Sequence, residues 1–206
     1  EYVDAMPAEQ TKIYFACGEN VKRLLSLPQA ELLHEKGFDV LCMTSQIDEY
    51  FVDTMKSYAD KPFCNIATDD LGLETEEEKK ETEAKQAEDK DLLDFVKETL
   101  GDKIKEAKVS HRLKTHPVCL TAGEGFSFEM EKYFKNFEMP EPVKADRILE
   151  LNVAHPAVKA MEALMATDRD KAALYAKILY DQANLIAGLP LEDPSAYTDM
   201  VAQLMQ

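Results

Sequence analysis

Short apolar runs alternate with amphipathic segments along the first third of the chain. Three runs predict strands, namely KIYFACG, FDVLCMTS and PFCNIA, and the segments GENVKRLLSL, PQAELLHEKG and QIDEYFVDTMKSYAD predict helices between them. The letters VLCM are apolar without interruption, which is typical of a strand covered on both faces. Because strands that alternate with helices form βαβ units, the pattern predicts a small parallel sheet in an αβα domain over residues 1–73.

The apolar pattern disappears between residues 74 and 90. Eight acidic residues are interleaved there with four lysines, and no large apolar side chain is present. Such a composition does not supply a buried face, so it predicts either an acidic linker or a solvated helix at a domain boundary.

Residues 91–206 combine strand patterns with several helices. DLLDFVKETLG predicts a helix that ends at Gly101, and KIKEAKVSHRL, PVCLTA and RILELNV predict strands. GFSFEMEKYFKNF predicts a short helix, and three longer helical segments follow up to Gln206. This order predicts an α+β domain.

The last two helical segments form a predicted antiparallel pair joined by GLPLEDP. The final helix carries five apolar side chains at helical spacing, worth roughly 8–15 kcal/mol gross if all are buried at about 1.5–3 kcal/mol each. The residues alone leave two partners open, the chain's own core or a second copy of the chain. Two such pairs related by a twofold axis form a four-helix bundle. The stripe of the final helix consists of Tyr197, Met200, Val201, Leu204 and Met205, and that of the preceding helix includes Leu174, Ile178 and Leu185.

The short helix GFSFEMEKYFKNF has a second apolar face. Its members recur at i, i+4, i+7, i+8 and i+11, and they are aromatic residues and a methionine. Such a face predicts either part of the core or an exposed binding surface, and composition alone favours the core. They are Phe126, Met130, Tyr133, Phe134 and Phe137.

Charge and length limit the classes of function. The 206 residues suit one or two domains, and the formal net charge of −16 argues against nucleic acid or an anionic membrane as a main partner. No run of about 18 apolar residues and no secretory signal is present, so we expect a soluble protein. The sequence begins at Glu1 rather than at methionine, so we expect it to be part of a longer protein.

Few residues indicate catalysis. Cys17 lies at the end of a predicted strand, just before a predicted helix, and a helix N-terminus lowers the pKa of a nearby thiol. A small flavodoxin-like enzyme that depends on a thiol or a nucleotide therefore stays open as an alternative. His111, His116 and Cys119 lack the paired spacing of a zinc site, and phosphate-loop and nucleophile-elbow motifs are absent from the sequence. The four cysteines sit singly in apolar segments, which indicates free thiols in a reducing compartment. We therefore predict no catalytic, cofactor or metal site.

Five ordered motifs resemble the C-terminal part of the heat-shock protein 90 chaperone family, most closely its bacterial form. EYVDAMPAEQTKIYFACGE resembles a segment with YV, then IYY and Gly-Asp or Gly-Glu, and EKGFDVLCMTSQIDEYFV resembles one with KKG, EVL and IDE. SHRLKTHPV, ELNVAHPAVK and GLPLEDPSAY are similar to three further motifs in the same order. The resemblance covers essentially the whole chain.

The resemblance implies the homodimerisation and client-binding portion of a cytoplasmic, ATP-dependent chaperone. Residues 1–73 would belong to the distal middle domain and residues 91–206 to the dimerisation domain, in which the last two helices form a four-helix bundle. ATP and magnesium would bind an N-terminal domain of the full-length protein, so this portion would not be an enzyme by itself. A purely structural oligomerisation module remains a further alternative.

The resemblance also assigns residues and partners. Phe126, Met130, Tyr133 and Phe134 match positions that contact unfolded or partly folded clients, and the apolar stripes of the last two helices match the dimer interface. The chain lacks the Met-Glu-Glu-Val-Asp tail of eukaryotic cytosolic members, so we expect no co-chaperones with tetratricopeptide repeats.

Overall fold

A computed structural model describes residues 1–45, 47–123, 125–135 and 143–205. The helices of these residues are α1 (Tyr2–Ala5), α2 (Val21–Leu25), α3 (Glu31–Glu35), α4 (Asp48–Met55), α5 (Glu76–Glu88), α6 (Lys90–Leu100), α7 (Phe128–Phe134), α8 (Pro156–Met165), α9 (Arg169–Ala187) and α10 (Pro194–Leu204). The strands are β1 (Ile13–Cys17), β2 (Leu41–Met43), β3 (Ser57–Tyr58), β4 (Lys61–Asn65), β5 (Glu106–Val109), β6 (Val118–Ala122) and β7 (Arg147–Leu151). Short 3-10 turns at Pro28–Ala30 and Gly101–Lys103 complete the set.

Contacts divide the chain into two compact units. The first comprises residues 1–73 and 122–146, and the second comprises residues 74–121 and 147–206. The break after Leu73 coincides with the start of the acidic segment. Helix α7 groups with the first unit although it follows β6 in sequence, so the units are discontinuous in the chain. The predicted domain boundaries, 1–73, 74–90 and 91–206, stay a prediction.

The first unit contains a four-stranded sheet in the order β2-β1-β4-β3. Strand β1 pairs in parallel with β2 on one side and with β4 on the other, as the alternating pattern predicts. Ile13, Tyr14 and Phe15 on β1 are at most 3% exposed, which fits a central strand covered on both faces. The Tyr14 hydroxyl donates to the carbonyl of Leu71 at 3.1 Å, so this buried phenol is satisfied.

The edge of this sheet differs from the prediction. The segment QIDEYFVDTMKSYAD is not one helix, because α4 ends at Met55 and Lys56 has a positive φ of 60°. Ser57–Tyr58 then pairs antiparallel with Lys61 and Pro62 of β4. The two residues of the tight turn, Ala59 and Asp60, also have positive φ, which suits a short hairpin loop. The sheet is therefore mixed rather than parallel throughout.

The second unit contains a three-stranded sheet in the order β5-β7-β6, in which β5 and β7 are parallel. Glu150 on β7 is fully buried and lies at the centre of a charged network. Its carboxylate accepts from the hydroxyls of Ser110 at 2.8 Å and Thr121 at 3.1 Å. Arg112 Nε and Lys108 Nζ each lie 3.3 Å from it. The network ties β7 to β6, β5 and the segment after β5.

The acidic segment forms helix α5. Thr75 accepts from the amide of Glu78, and the Glu78 carboxylate accepts from the amide of Thr75 at 2.7 Å, so a complete capping box starts the helix. No residue of α5 is buried. The structure thus shows the solvated helix, one of the two alternatives that the composition left open.

Helices α8, α9 and α10 follow β7. Each begins with a side-chain cap, supplied by His155, Asp168 and Asp193, and a proline occupies the first turn of α8 and of α10. Helix α9 ends at Gly188 in the left-handed conformation with φ 69°, where glycine carries no Cβ penalty. These signals explain why the helix boundaries agree with the sequence pattern.

Candidate functional surfaces

Helix α7 carries the residues predicted to contact clients. Ser127 caps it by accepting from the amide of Met130 at 3.0 Å, so Phe126 precedes the helix instead of lying on it as predicted. Phe126 is 43% exposed, and its ring contacts Phe134 edge to face at 5.8 Å between centroids. Tyr133 contacts the same ring at 5.6 Å. The three aromatic residues therefore form one surface around Phe134.

None of these four residues is fully buried. Met130, Tyr133 and Phe134 are half-buried, and the buried residues of α7 are instead Phe128 and Glu131. Burial of all four inside the chain would exclude client contact through them, and the structure does not show that. Phe137, the fifth member of the predicted face, lies outside the described residues.

Helix α4 has an apolar face that the sequence pattern did not single out. Tyr50 is 72% exposed and Phe51 is 58% exposed, and Ile47 at the N-cap is 66% exposed. Met55 continues the same face one turn later with 39% exposure. The spacing i, i+3, i+4 and i+8 places them on one side of the helix. Large aromatic side chains are more often buried, so their exposure makes this face a candidate binding surface.

A groove joins these two surfaces within the first unit. It has a volume of about 360 Å³ and is lined by residues from α4, α7 and the carboxyl ends of β1 and β2. We call it the α4–α7 groove. Its walls combine aromatic, methionine and acidic side chains and are formed by Cys17, Gly18, Glu19, Thr44, Ser45, Ile47, Glu49, Tyr50, Glu129, Met130, Lys132, Tyr133 and Phe134.

Glu49 connects the two helices that form the groove. Its Oε2 accepts from the Ser127 hydroxyl at 2.6 Å, and its Oε1 accepts from the Asn65 amide at 3.2 Å. Ser127 thus uses one oxygen to cap α7 and to donate to α4. Burial raises the pKa of Glu49, and the nearby carboxylates of Asp53, Glu129 and Asp69 raise it further, against the lowering effect of the Ser127 hydrogen bond. Sequence reasoning missed Glu49, for which the only signal in the sequence is its place directly before Tyr50 and Phe51.

The structure opposes a catalytic role for Cys17. The thiol is half-buried in the groove wall, and burial raises its pKa well above the ordinary range, as do the carboxylates of Glu49, Asp48, Glu129 and Asp53. The prediction that a helix N-terminus lowers this pKa is wrong, because desolvation and surrounding negative charge both disfavour the thiolate. The four cysteines are free thiols.

His111, His116 and Cys119 do not converge as a ligand set in the part of the chain that the structure describes. His111 Nδ1 lies 3.5 Å from a carboxylate oxygen of Glu74, and His116 Nδ1 lies 3.3 Å from the Thr115 hydroxyl. Cys119 is buried within β6.

Helix α10 has no buried residue. Four members of its stripe, Tyr197, Met200, Val201 and Leu204, are half-buried, and Met205 directly after the helix is 81% exposed. We call these five residues the α10 stripe. Its apolar area is only partly covered by the chain itself, which leaves the stripe available for a partner.

Helix α9 supplies the rest of the predicted interface. Leu185 is 48% exposed and Leu174 is half-buried, so both offer surface to a second chain. Ile178 is only 5% exposed and belongs to the core of its own unit, so it has little surface left for a partner. The eight predicted interface residues therefore stay a prediction, in which Ile178 has the least surface to offer.

Among the described residues, no helix has both the length and the apolar character needed to cross a membrane.

Comparison with known proteins identifies relatives over the full length of the chain. The model of the family described as Hsp90 protein matches residues 1–206. The chaperone protein HtpG of Bacillus velezensis is 40% identical over 205 residues, and that of Clostridium acetobutylicum is 43% identical over 208 residues. Each match covers all of this chain and 33% of the relative, so the chain spans about a third of the length of these relatives. The chain belongs to the Hsp90 protein family.

Proposed function

We propose that this chain is the C-terminal portion of a cytoplasmic, ATP-dependent chaperone, in which it joins two protomers and holds client proteins. The family match over all residues supports the chaperone assignment. ATP and magnesium bind elsewhere in the longer protein under this proposal, and the present portion has no ATPase activity by itself. The partly covered α10 stripe is the observation that carries the dimer role.

Dimerisation uses the exposed faces of α9 and α10. The α10 stripe, Leu174 and Leu185 are apolar and incompletely covered, and two copies of the helix pair related by a twofold axis would bury them in a four-helix bundle. A twofold interface is self-complementary, so one stripe on each chain is sufficient to close it.

Sedimentation equilibrium of the chain at tens of micromolar tests this interface. We expect a dimer for the natural sequence and a folded monomer for the double variant Leu204→Asp and Met205→Asp, because a carboxylate moved into an apolar bundle core costs several kcal/mol. Gln203→Asp is the matched control, since Gln203 is exposed on the same helix and lies off the stripe. A natural chain that sediments as a monomer contradicts the proposal, as does a double variant that remains a dimer.

Client binding uses the α4–α7 groove. Tyr50 lines the groove and is 72% exposed, and Phe51 on α4 and Phe126 before α7 are also exposed. Aromatic groups that hold apolar segments without permanent burial suit a chaperone that must release its client. The groove extends the predicted client surface of α7 onto α4.

Binding of a labelled 15-residue peptide, with Leu-Phe-Leu at its centre in a Gly-Ser background, tests the groove. We expect Tyr50→Ser and Phe134→Ser to weaken the affinity measured by fluorescence anisotropy at least fivefold each, since each removes about 1–3 kcal/mol of apolar contact. Tyr58→Ser is the matched control, because Tyr58 is 54% exposed and does not line the groove. Equal affinity in all four proteins contradicts client contact through the groove.

A further inference from the structure

The α4–α7 groove is acidic as well as apolar. Its described lining contains three glutamates, Glu19, Glu49 and Glu129, and one lysine, so its formal charge is −2. Lys132 is already paired with Glu129 at 2.5 Å within α7. The groove therefore has more carboxylates than it has cations to pair with them.

Glu49 holds the most confined of these charges. It is 7% exposed, and its carboxylate accepts hydrogen bonds from Asn65 and Ser127, which are both neutral donors. Within the described residues, no lysine, arginine or histidine forms an ion pair with it. The titratable groups that face it are the carboxylates of Asp53, Asp69 and Glu129 and the thiol of Cys17. All of these are neutral or negative, so the wall of the groove projects a negative potential.

The apolar lining complements this potential. A lysine or arginine side chain has a methylene stem that packs on apolar surface, and its charged end is attracted to the faces of aromatic rings. Tyr50 and Tyr133 supply such rings in the lining. A ligand can reach two of the lining carboxylates: Glu19 is exposed, and Glu129, which is paired with Lys132, has a side chain that is 28% exposed. Glu49 adds a buried negative charge to the same lining.

We propose that the α4–α7 groove selects client segments in which a lysine or arginine lies next to an aromatic or large aliphatic residue. The cation pairs with Glu129, which it shares with Lys132, in the field of Glu49, and the neighbouring apolar side chain packs against Tyr50, Tyr133 and Phe134. This inference rests on the proposed client function and names the class of segment that the groove prefers.

Three labelled peptides of identical length test the preference. They share a Gly-Ser background and the centre Leu-Phe-X-Leu, where X is Lys, Gln or Glu. For the natural chain we expect the Lys peptide to bind about fivefold more tightly than the Gln peptide, and the Glu peptide to bind most weakly, as for one partly screened ion pair. The preference should shrink with added salt.

Two variants locate the source of the preference. Glu129→Gln and Glu49→Gln should each reduce the ratio of Lys-peptide to Gln-peptide affinity by at least twofold. Glu83→Gln on α5 is the matched control, because it removes the same charge from an exposed position outside the groove. Circular dichroism checks that each variant is folded. If Glu49→Gln does not fold, Glu129→Gln alone tests the preference.

The outcomes separate this inference from the proposed function. If the three peptides bind equally while Tyr50→Ser weakens all of them, the charge preference is wrong and client binding stands. If Glu83→Gln reduces the preference as much as Glu129→Gln, attraction by the net charge of −16 explains it and the inference is overturned. If no peptide binds, both proposals fail.

Discussion

Replacement of Glu150 by glutamine tests whether the second unit depends on its buried charge network. Glutamine keeps the shape of the side chain and removes its charge. Arg112, which is 3% exposed, then faces a neutral amide, whereas Lys108, at 32% exposure, can turn to solvent. The hydroxyls of Ser110 and Thr121 can each accept as well as donate, so both can bond to the new amide. The main loss is therefore the ion pair with Arg112.

The structure sets the size of this loss. Removal of one partner from a buried ion pair costs about 3–5 kcal/mol, because the remaining charge is left in a low-dielectric site. The Arg112 Nε contact is an ion pair at 3.3 Å and not an aligned hydrogen bond, and both hydroxyl partners of Glu150 survive. We therefore expect Glu150→Gln to lower the free energy of unfolding by about 3 kcal/mol, at the lower end of this range.

The loss should depend on pH. Burial raises the pKa of Glu150, but Arg112, Lys108, the Ser110 hydroxyl and His111 outweigh burial and hold this pKa below its ordinary value of 4.5. A carboxylate with a lowered pKa in the folded state stabilises the fold above the unfolded pKa and loses this effect as the pH falls through the folded pKa. The difference in unfolding free energy between the natural chain and Glu150→Gln is thus largest at pH 7 and becomes smaller below about pH 4.5.

Urea unfolding followed by far-UV circular dichroism measures this difference, since the chain contains no tryptophan. Glu98→Gln is the control, because its pair with Arg169 lies at 3.1 Å between side chains that are 71% and 63% exposed. This variant should lose less than about 1 kcal/mol at any pH. If Glu150→Gln loses no more than Glu98→Gln, or if its loss is the same at pH 7 and pH 4, the buried network does not hold the unit together.

Three further predictions concern other groups. Because burial raises the pKa of Glu49, the free energy of unfolding of the natural chain should fall relative to that of Glu49→Gln as the pH rises from 4.5 through the raised pKa. Urea unfolding at pH 4 and pH 8 measures this, and the same difference in unfolding free energy at both pH values would refute it. Cys17 should react with iodoacetamide at pH 8 at least about tenfold more slowly in the folded chain than in urea, as mass spectrometry can measure, and equal rates would refute the raised pKa. Thr75→Ala should cost about 1 kcal/mol, seen as faster amide exchange confined to α5, and unchanged exchange there would show that the capping box does not hold the helix.

The sequence pattern predicts the parallel core of the first sheet and the ends of the long helices, and both follow from local rules. Strand β1 is apolar on both faces because both faces are covered, and the caps at Asp168 and Asp193 are visible in the sequence. The hairpin of β3 and β4 escapes prediction, because three non-glycine residues, Lys56, Ala59 and Asp60, adopt positive φ. Local preference disfavours that conformation, and only the pairing with β4 supports it.

The exposed face of α4 escapes prediction for a different reason. Periodicity identifies an apolar stripe but not whether anything covers it. In α4 the usual arrangement is inverted, since Glu49 is buried and Tyr50 and Phe51 are exposed. The reason is tertiary, because Glu49 accepts from Ser127, which lies 78 residues away in sequence. No local pattern contains that hydrogen bond, so the groove is visible only in the structure.

The two proposed surfaces differ in chemistry in the way that their roles require. Residues 194–204 of α10 include one charged residue, Asp199, which lies off the stripe, and the centre of a lasting interface is depleted of charge because ions there lose their hydration. The α4–α7 groove places three glutamates and a lysine among its aromatic residues. Charges at a partly hydrated surface contribute more to encounter and selection than to affinity. Exposed apolar area alone does not distinguish the two proposed roles. The charge around that area favours a permanent partner for the α10 stripe and a partner that is bound and released for the groove.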